Sequence, residues 1–133
     1  MNGTWFGEYK SEDNETGKIF QGEIAIVIRQ SFLNVNVTSY TDKYMAFSFG
    51  EAILHNKSSD SHQLVYLYSQ NQYNPTDDIA RKGTSELHLL VEANKNRLFG
   101  KFWTNYNSKG NLKIVKITNK QVKSFHDAKK ISK

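Results

Sequence analysis

The sequence lacks cysteine and has a single proline among its 133 residues. Without cysteine there is no disulfide framework, no thiolate nucleophile and no thiolate metal site, which fits a reducing cytosol. Its longest uninterrupted apolar run, residues 24–28, is far shorter than the ~20 residues that cross a bilayer. No basic and apolar leader of the secretory kind precedes the first strand-like residues. These absences predict a soluble chain.

Signatures of catalysis are also missing. The sequence has no serine nucleophile elbow, no phosphate-binding glycine loop and no dinucleotide fingerprint. Its four histidines, His55, His62, His88 and His126, show none of the short spacings of helical or hairpin metal sites. We therefore expect neither an enzyme nor a bound metal or cofactor.

What the chain does have is alternation of side-chain character with a period of two, which is typical of strands with one wet side. In residues 20–29, Ile24, Ile26 and Ile28 fall on one face and Glu23 on the other. Eight segments of this kind are present, at residues 4–9, 20–29, 33–40, 43–54, 64–68, 87–91, 98–104 and 112–117.

Glycines inside these strands favour closure into a small barrel, because glycine permits sharp coiling. The sequence predicts an all-β fold: a single compact eight-stranded up-and-down antiparallel β-barrel over residues 1–119. Residues 120–133 are predicted to be a basic tail or a short helix. A hairpin turn is expected at Lys109-Gly110, and the long connection 70–82, which carries Pro75, is expected to be functional or disordered.

Charge is unevenly distributed along the chain. The net charge is +5, with five basic and eight acidic residues in 1–67 but thirteen basic and five acidic residues in 68–133. The second half therefore attracts anions, whether a phosphorylated ligand, nucleic acid or an acidic membrane surface.

Aromatic and basic residues together favour binding of a nucleotide. Bases stack on flat rings, and arginine donates forked, charge-assisted hydrogen bonds to phosphate. Core packing is the alternative role for any one of the rings. The predicted ligand-binding residues of these two types are Tyr9, Tyr66, Tyr68, Trp103, Arg29 and Arg81, and Tyr106, Lys82 and Lys109 belong to the same aromatic and basic group.

Smaller residues beside them complete the predicted site. Thr84 and Thr104 lie at comparable ends of neighbouring predicted strands, where a hydroxyl could meet a base edge. Gly83 also belongs to the predicted ligand-binding site. Arg81 lies two residues before it, where it could close over an anion, and Asn105 could read a base edge.

A series of short motifs resembles the cyclic-dinucleotide-sensing β-barrel of the two-transmembrane, β-strand-rich (SMODS-associated) effectors of bacterial CBASS antiphage operons. The motifs occur in order over residues 5–112: Trp5-x-Gly7-x-Tyr9, Ile28-x-Gln30, Tyr66-x-Tyr68, Gly83-Thr84-x-x-Leu87, Leu98-x-Gly100-x-Phe102-Trp103-Thr104 and Gly110.

This resemblance implies a receptor for a cyclic dinucleotide, rather than for a DNA or RNA polymer, that catalyses nothing. It also implies abortive infection through membrane disruption by two transmembrane helices that precede the barrel in the family. The chain begins almost at the first strand, so it is either a soluble part of a longer protein or a free-standing relative. The implied location is the cytoplasmic face of the bacterial inner membrane, with a homo-oligomer left open.

Two other functions remain open on the residues alone. A lipocalin-like or fatty-acid-binding barrel would carry an apolar ligand, and the phenylalanine-rich strand at residues 45–49 favours it. A nonspecific binder of nucleic acid or membrane surfaces would use the lysine-rich tail.

Overall fold

The structure, a computed structural model, describes residues 1–72, 81–92, 94–105 and 107–133. Within these ranges it has eight strands and one helix, which confirms the predicted strand number. Their bounds are β1 (Gly3–Asp13), β2 (Ile19–Gln30), β3 (Val35–Tyr40), β4 (Tyr44–Asn56), β5 (Ser61–Gln72), β6 (Arg81–Glu92), β7 (Lys95–Thr104), β8 (Ser108–Thr118) and α1 (Phe125–Ser132).

The strands form a closed antiparallel barrel in the order of the chain. Each strand pairs with the next, and β8 pairs with β1 along most of its length, from Thr118 opposite Thr4 to Ser108 opposite Asp13. The predicted up-and-down barrel is therefore confirmed. Closure pairs β1 with β8, the two strands whose outer edges an open sheet of this order would expose.

One end of the barrel is filled with apolar side chains. Trp5 is fully buried there, and its indole Nε1 donates a hydrogen bond to the backbone oxygen of Met1 at 2.9 Å. Because alternate residues face inward, every strand contributes to this core. The buried residues packed around the tryptophan are Ile26, Ile28, Val37, Leu64, Leu87, Leu98 and Ile114. This end is solid.

Helix α1 packs on the outer surface of the barrel, so of the two alternatives for residues 120–133, a basic tail or a short helix, the helix is confirmed. It covers Ala25 and Val27, the outward residues of β2, and both are 0% exposed. The expectation of a wet outer face on β2 is thus wrong at this point, because the tail supplies a second apolar layer. Among the described residues, no helix has the length and apolar character needed to cross a bilayer.

Strand β4 changes its inward face at a bulge between Ser48 and Gly50. Before the bulge Ala46 faces the interior, so Phe47 and Phe49 point outward and are 45% and 60% exposed. After it, Ile53 packs on the interior core. A regular alternation over residues 43–54 would put Phe47, Phe49 and Ile53 on one face. This expectation is wrong because the bulge adds one residue to β4 and so changes which face Ile53 shares.

The turn before β8 differs from the predicted one. Lys109 and Gly110 lie within β8, and the chain turns earlier, with Asn107 at φ 57°. Asparagine tolerates this left-handed backbone conformation. Two further expectations, the connection around Pro75 and the side chain of Tyr106, fall outside the described residues.

Candidate functional site

The end of the barrel opposite the apolar core contains a cavity of about 600 Å³. This volume lies within the ~300–1,000 Å³ typical of small-molecule sites. Tyr66, Ala46 and Leu112 are buried side chains at its base, and Thr104 and Ser108 lie nearer the strand ends. The cavity therefore has a buried base and polar side chains toward the strand ends.

Arginine and tyrosine side chains meet inside this cavity. Arg81 begins β6 and faces inward beside Tyr68, whose register partner on β6 is Gly83. Burial raises the pKa of Tyr68, the neighbouring Tyr66 raises it further, and the Arg81 charge opposes both effects. The site therefore places the planar guanidinium of Arg81 next to the neutral phenol rings of Tyr66 and Tyr68. This is the combination that a nucleotide phosphate and base require.

Two of the tyrosines lie over glycines of the neighbouring strand. Tyr68 is opposite Gly83, and Tyr9 is opposite Gly22. A Cβ atom at Gly83 would lie 2.5 Å from Cζ of Tyr68, and one at Gly22 would lie 2.9 Å from Cε1 of Tyr9. Only glycine leaves room for these rings, so the glycines set their orientation in the cavity.

The wall of the cavity has an opening between β2 and β3. Strand β3 pairs with β2 only from Ala25 opposite Tyr40 to Gln30 opposite Val35. In the described part of the chain, residues 19–24 therefore have no strand partner on this side. Across the opening lie Asp42 and Lys43, which line the cavity. The short β3 thus creates a lateral entrance with charged side chains.

Tyr66 forms a buried polar contact at the base of the cavity. Burial raises the pKa of its phenol to about 12, and a side-chain hydrogen bond with Ser85 opposes the rise. Both residues are almost completely buried. The neutral phenol is the form that the folded state favours.

This burial predicts alkaline destabilisation. Because the folded pKa lies above the unfolded value of ~10, the contribution is complete below pH 10 and is lost as pH rises through about 12. Between pH 9 and pH 12 the free energy of unfolding should fall in both proteins. We expect the fall to be about 2 kcal/mol smaller in Tyr66→Phe than in the wild type, because phenylalanine does not ionise. Urea unfolding at each pH, followed by circular dichroism, measures this difference. Equal losses in the two proteins would contradict the assignment.

The structure brings together some of the predicted ligand-binding residues. The cavity is lined by Tyr9, Tyr66, Tyr68, Arg81 and Thr104, and Gly83 lies against the ring of Tyr68.

Four other predicted residues lie outside the cavity. Arg29 donates from Nη1 to Oγ1 of Thr38 at 3.3 Å on the outside of the barrel. Thr84 and Trp103 are register partners on the outer face, since Gly83 and Thr104 occupy the inward positions beside them. The Asn105 side chain accepts a hydrogen bond from the Lys82 backbone at 3.0 Å and closes the end of the β6–β7 pair.

Several lining residues were not predicted from the sequence. Ser85 and Phe102 could have been found by strand parity, since each lies two residues from an inward residue, Gly83 or Gly100, on its own strand. Phe125 and Lys129 could not, because α1 reaches the cavity only through its packing on the barrel.

Two histidines lie next to each other at the filled end, on the β4–β5 hairpin. His55 and His62 are direct register partners, and their rings stack with centroids 4.2 Å apart and planes 9° from parallel. Asp60 Oδ1 lies 3.0 Å from Nε2 of His55. The in-plane lone pairs of parallel rings cannot both point at one ion, so a ring would have to turn before this cluster could bind a metal. The expected absence of a metal stays a prediction.

Comparison with known proteins agrees with this geometry. Residues 1–116, which include all eight strands almost to the end of β8, match the family described as the Cap15 cyclic dinucleotide receptor domain. No curated protein matches the chain. The match covers most of the chain and every barrel residue that lines the cavity. The chain therefore belongs to the family of Cap15 cyclic dinucleotide receptor domains, the sensing domains of CBASS effectors.

Proposed function

We propose that the cavity is the cyclic dinucleotide site, with phosphate groups toward Arg81 and bases against the tyrosine rings. The observation that carries this proposal is the position of Arg81 beside Tyr68 in a cavity of about 600 Å³. A cyclic dinucleotide is a ring of two sugars and two phosphates, and each sugar carries one flat base. It therefore needs stacking surfaces and fixed cations within a short distance of each other.

Sensing without catalysis is part of the same proposal. The described lining residues offer basic, hydroxyl and aromatic groups, and the two acidic ones, Glu23 and Asp42, lie beside the lateral opening. Binding energy, rather than bond cleavage, then produces the signal. In the whole effector the bound barrel acts on membrane-spanning helices at the cytoplasmic face of the inner membrane, and membrane disruption follows.

An apolar ligand receives less support from the structure. Phe47 and Phe49, which favoured a lipid-binding barrel, face away from the cavity. The apolar part of the interior is filled by the core around Trp5. A lipid chain would have to pass the charged residues at the entrance and lie beside the Arg81 guanidinium.

A pair of threonine variants tests where the ligand binds. Thr104 lines the cavity, whereas Thr84 faces outward on the neighbouring strand. We expect Thr104→Val to weaken binding roughly threefold to tenfold, the effect of losing one neutral hydrogen bond, and Thr84→Val to leave it unchanged. Calorimetric titration with cyclic dinucleotides that carry two purines, two pyrimidines or one of each measures both.

The titrations separate two kinds of failure. If the wild type releases no heat with any compound of the panel, the proposed function is wrong. If it binds but Thr84→Val is the weaker variant, the ligand lies on the outer face and the cavity is not the site.

A further inference from the structure

Helix α1 lies beside the lateral opening of the cavity. Two of its side chains, Phe125 and Lys129, line the cavity together with Glu23 of β2. These two residues are beyond residues 1–116, the segment that matches the receptor family. The tail of this chain thus adds a helix to one wall of the proposed site.

The helix is held firmly at its start. Oγ1 of Thr4 donates to the backbone oxygen of Lys120 at 2.6 Å and accepts from the Val122 backbone at 3.2 Å. Ser124 caps the helix by accepting a hydrogen bond from the backbone of Asp127. Ala128 is fully buried against the barrel. These contacts fix the backbone of α1 on the barrel, so the backbone of Lys129, the next residue, has a fixed position beside β2.

Lys129 forms an ion pair at this place. Its Nζ lies 2.9 Å from Oε1 of Glu23, and both side chains are less than half exposed. Ion pairs that water reaches are weak, because solvent screens them and two long side chains must be ordered. A phosphate that entered through the opening would be repelled by Glu23 and attracted by Lys129.

We propose that Lys129 is a phosphate contact of the bound cyclic dinucleotide and that it leaves Glu23 to make this contact. The inference rests on the proposed function, since it places the ligand in the same cavity. Glu23 then competes with the ligand for Lys129. The helix acts as a part of the binding site that is specific to chains with this tail.

If Glu23 and the ligand compete for Lys129, replacing Lys129 should lower the affinity for the ligand and replacing Glu23 should raise it. We expect Lys129→Gln to weaken binding roughly threefold to tenfold, because a charge-assisted contact is lost. Glu23→Gln is expected to strengthen binding at least about twofold, because the competitor and its repulsion are removed. The double variant should bind more weakly than Glu23→Gln, because the Lys129 contact is lost, but no more weakly than Lys129→Gln alone, because the repulsion from Glu23 is also removed. Lys130→Gln, which changes the net charge equally on the exposed side of α1, is the control and should bind like the wild type.

The measurement is calorimetry with the member of the cyclic dinucleotide panel that binds the wild type most tightly, with circular dichroism to check that each variant is folded. Equal weakening by Glu23→Gln and Lys129→Gln would show that the ion pair only holds the helix, and the inference would be overturned. Unchanged binding by Lys129→Gln would also overturn it while leaving the proposed function intact. If Lys130→Gln weakens binding as much as Lys129→Gln, only general charge attraction is present, which again overturns it. No binding by the wild type would instead defeat the proposed function itself.

Discussion

Replacing Arg81 by glutamine is expected to lower the affinity for a cyclic dinucleotide by roughly tenfold to a hundredfold, since a hydrogen bond to a charged group contributes ~1.5–3 kcal/mol. Arg81 lines the cavity beside Tyr68, where the low local dielectric strengthens its attraction for phosphate. Arg81→Lys keeps the charge but loses the planar fork, so its affinity should be intermediate. Calorimetric titration of the three proteins measures the series.

Arg97 offers a matched control for this change. It lies near the start of β7, at the other end of the barrel, with Nη2 3.8 Å from Oε2 of Glu92. Arg97→Gln removes the same charge from the protein, yet it should bind the ligand within about twofold of the wild type, because exposed charges this distant are screened by salt. A loss as large as that of Arg81→Gln would mean that net charge, and not the cavity, governs affinity.

The largest change in stability is expected from Trp5. Its side chain is 0% exposed, fills the closed end of the barrel and donates a hydrogen bond to Met1. Trp5→Ala should lower the free energy of unfolding by ~3–5 kcal/mol, because it removes a large buried ring and leaves a cavity that neighbouring strands cannot close. Urea unfolding followed by circular dichroism measures this loss.

Trp103 is the control, since it is the other tryptophan of the chain and is 42% exposed on the outer face. Trp103→Ala should cost less than about 1 kcal/mol and leave ligand affinity unchanged. Similar costs for the two tryptophans would contradict the described packing. A loss of affinity in Trp103→Ala would return this residue to the ligand site.

The local part of the fold was accessible from the sequence. Alternation with a period of two is a property of neighbouring residues, so it identified all eight strands and the antiparallel order. The position of Arg81 two residues before Gly83 also directed attention to this arginine, and Tyr68 was identified by its aromatic ring. Strand parity, applied strictly, would further have separated Thr104 from Trp103, because adjacent residues of a strand point to opposite faces.

Other features needed information from distant parts of the chain. The bulge near Gly50 places Ile53 on the inward face while Phe47 and Phe49 lie outward, and no local pattern distinguishes that outcome from a regular strand. The turn expected at Gly110 moved to Asn107 because β8 begins earlier, which allows Gly110 to lie opposite Phe102.

The sequence by itself determined that this chain is a barrel of eight strands with an excess of positive charge in its second half. Only the tertiary structure decided which face of each strand is interior, because that choice depends on closure between β1 and β8, whose paired residues are 95 to 114 positions apart. The same is true of the lateral opening beside β3 and of Lys129 at its edge. Both arise from contacts between elements that no spacing along the chain encodes.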